Sequence, residues 1–300
     1  MSYEELSKRL KGRLATGKPL SDYTSFGLGG PAKLLVHPAD EKDLEIILGF
    51  TRQEGMKVLV LGAGTNLLVR DSGFPGLVIR MAEGFTGISP TQEGLEVEVG
   101  IKAKTVLDYC LSEELQGMEF SAGIPGSVGG MIKTNAGAFG GEMGSVVAKI
   151  KGINRDGEWL EIGADGLSFG YRYSNIPQDF VITRAWLRLK KGKREELKRV
   201  VSENLRAKVT TQPISQRSAG CIFKNPPQVP AAKLIEEVGG KGMRVGEAMV
   251  SPLHANFIVN LGGATASQVL LLIDQLRKKV RRVFGLTLEL EVKVVGGDDG

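Results

Sequence analysis

Cysteine and histidine are scarce in this chain, with two of each in 300 residues. Cys110 and Cys221 lie far apart and neither they nor His37 and His254 show ligand-like spacing, so no disulfide framework, zinc site or other metal is expected. Long apolar runs are missing: nothing approaches the length of a membrane span, and the first ten residues are charged from Glu4 onward without the apolar core of a signal peptide. A cytoplasmic protein with no membrane contact is the expectation. A surplus of one charge is missing as well. The net charge is +5, with acids interleaved among the lysines and arginines, which argues against a nucleic-acid surface and leaves room for an anionic small molecule.

Glycine is what the chain has in concentration. In Ser121-Ala-Gly-Ile-Pro-Gly-Ser-Val-Gly-Gly-Met-Ile-Lys-Thr-Asn-Ala-Gly-Ala-Phe-Gly-Gly141, seven of twenty-one residues are glycine and one is charged. Gly123, Gly126, Gly129 and Gly130 permit positive φ and carry no Cβ, so successive N–H groups are expected to face one concavity and bind phosphate oxygens. Ile124, Val128, Met131 and Ile132 could line a flat ring, with a packed turn cluster as the plainer alternative. A second glycine turn, Gly62 to Asn66, follows the buried run Val58-Leu-Val-Leu61. A Rossmann fingerprint would need a third glycine and a helix there, whereas Leu67 opens another strand, so that fold is disfavoured.

Periodicity around these turns predicts helices at 3–14, 40–54, 103–115, 193–209, 230–238 and 265–284, with Asp40 capping the second and Gly285 closing the last. Strands are predicted at 33–37, 58–61, 67–69, 77–80, 95–99, 145–153, 158–162, 181–189, 257–259 and 288–295. The Gly27-Leu-Gly-Gly30 loop would let backbone approach a ligand, and residues 296–300 are expected to fray. The pattern is α+β without regular βαβ alternation.

Three residues are candidates for chemistry, each with a dull alternative. Arg172 in Tyr171-Arg-Tyr-Ser174 could be a surface strand residue, Cys221 in Ser218-Ala-Gly-Cys-Ile-Phe-Lys-Asn-Pro226 a small core residue, and Glu291 in Leu288-Glu-Leu-Glu-Val292 the wet face of a strand. His254 and Asn256 are open between structure and function.

Seven segments occur in the order expected of one family: Leu61-Gly-Ala-Gly-Thr-Asn-Leu-Leu-Val69, Ala122-Gly-Ile-Pro-Gly-Ser-Val-Gly-Gly130, Asn135-Ala-Gly-Ala138, Tyr171-Arg-Tyr-Ser174, Gly220-Cys-Ile-Phe-Lys-Asn-Pro226, His254-Ala-Asn-Phe257 and Glu291-Val292. From about residue 20 to 295 the chain resembles the bacterial UDP-N-acetylenolpyruvoylglucosamine reductases. The resemblance implies a two-part FAD-binding fold of the vanillyl-alcohol-oxidase/PCMH type plus a C-terminal α+β substrate-binding domain. The expected division is 1–84 and 85–200 for the two FAD-binding subdomains and 201–300 for the substrate domain, the last strand returning Glu291 to the active site.

The resemblance also implies reduction of the enolpyruvyl ether of UDP-N-acetylglucosamine to UDP-N-acetylmuramate, with NADPH as reductant and non-covalent FAD between them. Hydride arrives at the methylene carbon, so the adjacent carbon and its carboxylate need charge support and then a proton. By resemblance Arg172 and Glu291 hold and polarise the carboxylate and Cys221 delivers the proton. A glutamate beside a substrate carboxylate serves best protonated, so a raised Glu291 pKa is expected. Cofactor contacts carry over to Gly62, Ala63, Gly64, Thr65 and Asn66, to Ala122, Gly123, Ile124, Pro125, Gly126, Ser127, Gly129 and Gly130, and to Asn135, Ala136 and Gly137. Substrate contacts carry over to Tyr171, Lys224, Asn225, Lys233, His254 and Asn256.

Two departures matter. Position 221 is Cys where many members carry Ser, and a thiol, still mostly protonated at neutral pH, keeps the acid role. No tyrosine follows Tyr173, so the chain is similar to the subgroup lacking a tyrosine-bearing loop over the substrate. A monomer is expected. The alternatives are another FAD-linked oxidase of the same fold, or a UDP-sugar-binding protein without flavin.

Overall fold

The computed structural model describes residues 2–297. Among them are seven α-helices: α1 Tyr3–Arg9, α2 Glu41–Gln53, α3 Ala103–Ser112, α4 Val128–Lys133, α5 Arg194–Thr211, α6 Ala231–Glu237 and α7 Ala266–Phe284. The chain forms two compact units, one of residues 1–16, 34–63 and 76–206, the other of 17–33, 64–75 and 207–300. Each has its own apolar core.

Two of the sheets have four and five strands. One has the strand order Arg13–Pro19, Pro31–His37, Phe74–Arg80, Val58–Leu61, the last two parallel with Val58 opposite Leu77. The other is antiparallel, ordered Trp159–Gly163, Val147–Ile153, Val181–Arg188, Gly94–Glu98, Ile88–Thr91. Leu95 and Val97 point inward and are fully buried, while Glu96 and Glu98 on the other face pair with Arg184. That is the alternation the sequence carries. Helix α2 begins where Asp40 accepts the Asp43 N–H and packs Leu44, Ile47 and Leu48 inward.

Two elements differ from expectation. The first helix stops at Arg9 and residues 13–19 form a strand, because Asp43, itself buried, accepts the N–H groups of Lys11 and Gly12 and draws that segment into extended backbone. A Cβ on Gly12 would lie 1.9 Å from the His37 carbonyl oxygen, so only glycine fits there. Within the glycine stretch, Val128–Lys133 is a helix despite Gly129 and Gly130, with Ser127 as its cap. Low glycine propensity hides it; burial of Val128, Met131 and Ile132 decides it.

In the second unit a three-stranded antiparallel sheet, Arg244–Val245, Ala248–Val250 and Ile258–Asn260, packs with α6 and α7. Lys293–Val295 runs parallel to Leu67–Val69. The strand expected over 288–295 is regular only in those last three residues. The fraying expected at the C-terminus falls partly on residues 298–300, outside the described residues.

Helix α7 buries Ala266, Val269, Leu272, Ile273, Leu276 and Val280 and ends at Gly285 in the left-handed region (φ 70°). Its N-terminus is held from a distance. The Asp71 carboxylate accepts the Ala266 N–H at 2.7 Å, the Ser267 N–H at 2.9 Å and the Ser267 hydroxyl at 2.6 Å. Burial pushes the Asp71 carboxyl up, but the Ser267 hydroxyl and the two backbone donors outweigh it and hold it below the usual carboxylate range. Asp71→Asn is expected to cost about 0.3–1 kcal/mol at pH 7, the worth of a negative charge at an exposed helix N-terminus. A depressed carboxyl stabilises the fold above its unfolded pKa of about 3.9 and loses that stabilisation as pH falls through the folded value. Urea midpoints of wild type and variant should therefore converge in acid; a constant gap would mean the charge contributes nothing.

Candidate active site

The strand-like segment 221–224 is central among the candidate residues of the second unit. On one side Ile222 donates its N–H to the Asn256 carbonyl (2.8 Å) and Cys221 bridges Phe257. On the other, Glu291 donates its N–H to the Ile222 carbonyl (2.8 Å) and Lys224 to the Glu289 carbonyl (2.9 Å). Cys221 and Glu291 thus sit on neighbouring hydrogen-bonded segments, both half-buried. The 64–66 turn holds the Glu291 segment: Asn66 donates its side-chain amide to the Glu291 carbonyl (3.1 Å) and accepts the Lys293 N–H at its own carbonyl (3.1 Å). Gly64 has φ 67°, and a Cβ there would lie 2.0 Å from the Tyr23 carbonyl oxygen.

Asn256 is buried, and its carboxamide is used twice on one residue. Its oxygen accepts the Phe223 N–H (2.9 Å) and its Nδ2 donates to the Phe223 carbonyl (2.8 Å). The side chain therefore fixes the strand that carries Cys221. His254 is half-buried with its ring edge-on to Phe257 at 4.9 Å, and its Nδ1 accepts the Asn256 N–H at 3.3 Å. Burial pushes its pKa down, which keeps that nitrogen an acceptor near neutral pH. Lys224 pairs with Glu289 at 3.4 Å, Asn225 accepts the Ala231 N–H at the start of α6, and Lys233 is exposed on α6. Arg217 lines a recess of about 330 Å³ with Ser21, Asp22, Thr24, Ser25 and Gly27.

The first unit holds Gly62, Ala63, the 122–137 residues, Tyr171 and Arg172. Gly62 meets the glycine stretch directly, since a Cβ on it would lie 2.2 Å from the Ser127 hydroxyl. Ala122, Ser127 and Val128 are buried anchors; Gly123 and Pro125 are exposed between them and Gly130 beyond them, with Gly123 at φ 68° and Gly126 at φ 153°. The expectation of a continuous run of outward N–H groups needs correcting. Ile124, Val128 and Gly129 donate theirs to the carbonyls of Ser121, Ile101 and Val99. What is left is a cradle of uncharged, side-chain-poor backbone, which fits a flavin held without a covalent link. Ala136 and Gly137 lead into the hairpin Gly137–Ala138/Gly141–Glu142.

Arg172 stands at the tip of the hairpin Phe169–Gly170/Tyr173–Ser174, itself in the left-handed region at φ 54°. Its guanidinium lies 5.2 Å from the Tyr171 ring centroid, and Tyr171 is exposed. No cluster of three metal-ligating side chains occurs among the described residues, and no helix there is long and apolar enough to cross a membrane.

Residues 32–163 match an FAD binding domain, and the α+β fold with its glycine cradle defines a flavoprotein of that fold class. Residues 212–295 match the C-terminal domain of UDP-N-acetylenolpyruvoylglucosamine reductase. Relatives of that name include the Syntrophus aciditrophicus protein, 42% identical over 98% of this chain and 96% of its own, and the Azorhizobium caulinodans protein, 38% identical over 96% and 93%. The crystal structure of the Thermus caldophilus UDP-N-acetylenolpyruvylglucosamine reductase superposes with a TM-score of 0.82 at 38% identity, covering 96% of this chain and all of that one. The chain belongs to the UDP-N-acetylenolpyruvoylglucosamine reductase family.

Proposed function

We infer that this protein reduces UDP-N-acetylglucosamine enolpyruvate to UDP-N-acetylmuramate with NADPH, a step of peptidoglycan synthesis. The observation that carries the reading is that segments 221–224 and 289–292 are hydrogen-bonded neighbours in the second unit, which supports a site drawing on both Cys221 and Glu291. FAD, when bound, supplies hydride transfer between NADPH and the enolpyruvyl group.

The chain's residues do the rest. Residues 1–84 and 85–200 hold the flavin, through Gly62–Asn66, the 122–130 backbone and the 135–137 segment, and residues 201–300 hold the nucleotide sugar. Arg172 grips the substrate carboxylate, a planar guanidinium matching a planar acid. Glu291 donates a hydrogen bond to the charge that develops there, and Cys221 protonates the carbon beside it. Lys224, Asn225 and Lys233 contact the UDP portion, Tyr171 and His254 the sugar side, and Asn256 acts through the strand it fixes. The nicotinamide uses the substrate pocket in alternation. The protein works as a cytoplasmic monomer.

The test is anaerobic. After reduction with NADPH, adding UDP-N-acetylglucosamine enolpyruvate should restore the oxidised flavin spectrum with stoichiometric UDP-N-acetylmuramate. Reoxidation by oxygen alone would turn the reading towards an oxidase of the same fold.

A further inference from the structure

We propose that Asn135 is a positioning residue that sets Arg172, through the hairpin the arginine tips. Asn135 is fully buried, and both halves of its carboxamide are committed. Nδ2 donates to the Gly170 carbonyl at 2.9 Å, and Oδ1 accepts the Gly144 N–H at 2.8 Å. Gly170 opens the two-residue turn, Tyr171 and Arg172, that closes on Tyr173. The asparagine therefore grips the hairpin one residue short of its tip.

The same element is tied at two more points. Ser174 donates its hydroxyl to the Lys133 carbonyl at 2.9 Å, at the end of α4. Gly144 lies flush against the hairpin's first residue, where a Cβ would fall 2.6 Å from the Phe169 Cβ. Together these ties hold a bulky residue in the left-handed region, a conformation that persists only where the surroundings over-determine it. Asn135 is itself at φ 45°, a region where asparagine is enriched among non-glycine residues. Asparagine thus answers two demands: the backbone twist, and a donor and an acceptor 2.9 Å and 2.8 Å from their partners. Aspartate would lose the donor, leucine both.

The inference rests on Arg172 gripping the substrate carboxylate. Asn135→Gly keeps the permitted backbone and removes only the bridge. In the flavin-loaded protein it should lower kcat/KM for UDP-N-acetylglucosamine enolpyruvate by about 10- to 100-fold, the cost of misplacing a reacting group by about an ångström. Variant and wild type are compared at equal flavin occupancy. In an Arg172→Ala background the same substitution should change kcat/KM by less than about twofold, because the route it acts through is gone. Amide exchange across residues 169–174 of the flavin-free protein should rise selectively in the variant. If Asn135→Gly does not fold, Ser174→Ala removes the second tie and carries the same comparison.

An equal loss in both backgrounds, or unaltered exchange at 169–174, would overturn the positioning role while leaving Arg172 in place. An Arg172→Ala protein with full activity would instead bring down the assignment of Arg172, and the positioning role with it.

Discussion

Cys221→Ala is expected to cut product formation by about 10²- to 10⁴-fold, the usual worth of a general acid, while NADPH still bleaches the flavin at the wild-type rate. The reason is local. Cys221 is half-buried on a segment hydrogen-bonded along both sides, so its position is set by backbone and survives truncation at Cβ. The variant should fold, bind and accept hydride equivalents, and lack only the proton donor. Cys221→Ser restores an acidic hydrogen at nearly the same point and should keep turnover. The other thiol makes a clean control. Cys110 is buried in α3, where burial and then the Glu119 charge push its pKa up to about 12, so it stays unreactive when Cys221 is alkylated. Stopped-flow with each variant separates flavin reduction from product formation. Equal activity of the Ala and Ser variants would remove Cys221 from the chemistry.

The regular elements and the family were legible in sequence because they rest on periodicity and on ordered motifs. Leu95 to Val99 alternates, Asp40 and Gly285 bracket their helices, and seven motifs stand in register. The rest depended on long-range hydrogen bonds that no local pattern encodes. Asp43 turns the end of the first helix into a strand from more than thirty residues away, and Asp71 caps a helix that begins at Ala266. The glycine stretch misled for the opposite reason. Its composition suggested open amides, but Val128 and Gly129 are tied to a neighbouring segment, and burial made a helix of residues that disfavour one. Asn135 and Asn256 stand in motifs that point to ligand contact, and their carboxamides are committed to backbone partners inside the protein. A motif marks where the site is; only satisfied hydrogen bonds tell which side chains still have capacity for a ligand.

The second large effect is expected at Glu291, where the two obvious variants should part company. Glu291→Ala should lose about 10²- to 10⁴-fold in turnover, and Glu291→Gln should stay within about tenfold of wild type. The backbone of Glu291 is pinned by its N–H on Ile222 and its carbonyl on the Asn66 amide, so neither change moves the position itself. What differs is the donor. A glutamine N–H can give the developing carboxylate charge the hydrogen bond that a protonated glutamic acid gives, and alanine cannot. An ionised glutamate would repel that charge. A glutamine variant as damaged as the alanine one would mean that the carboxyl acts ionised, as a base or as the partner of a cation, and the proton delivered to the product would then have to be traced again from Cys221 outward.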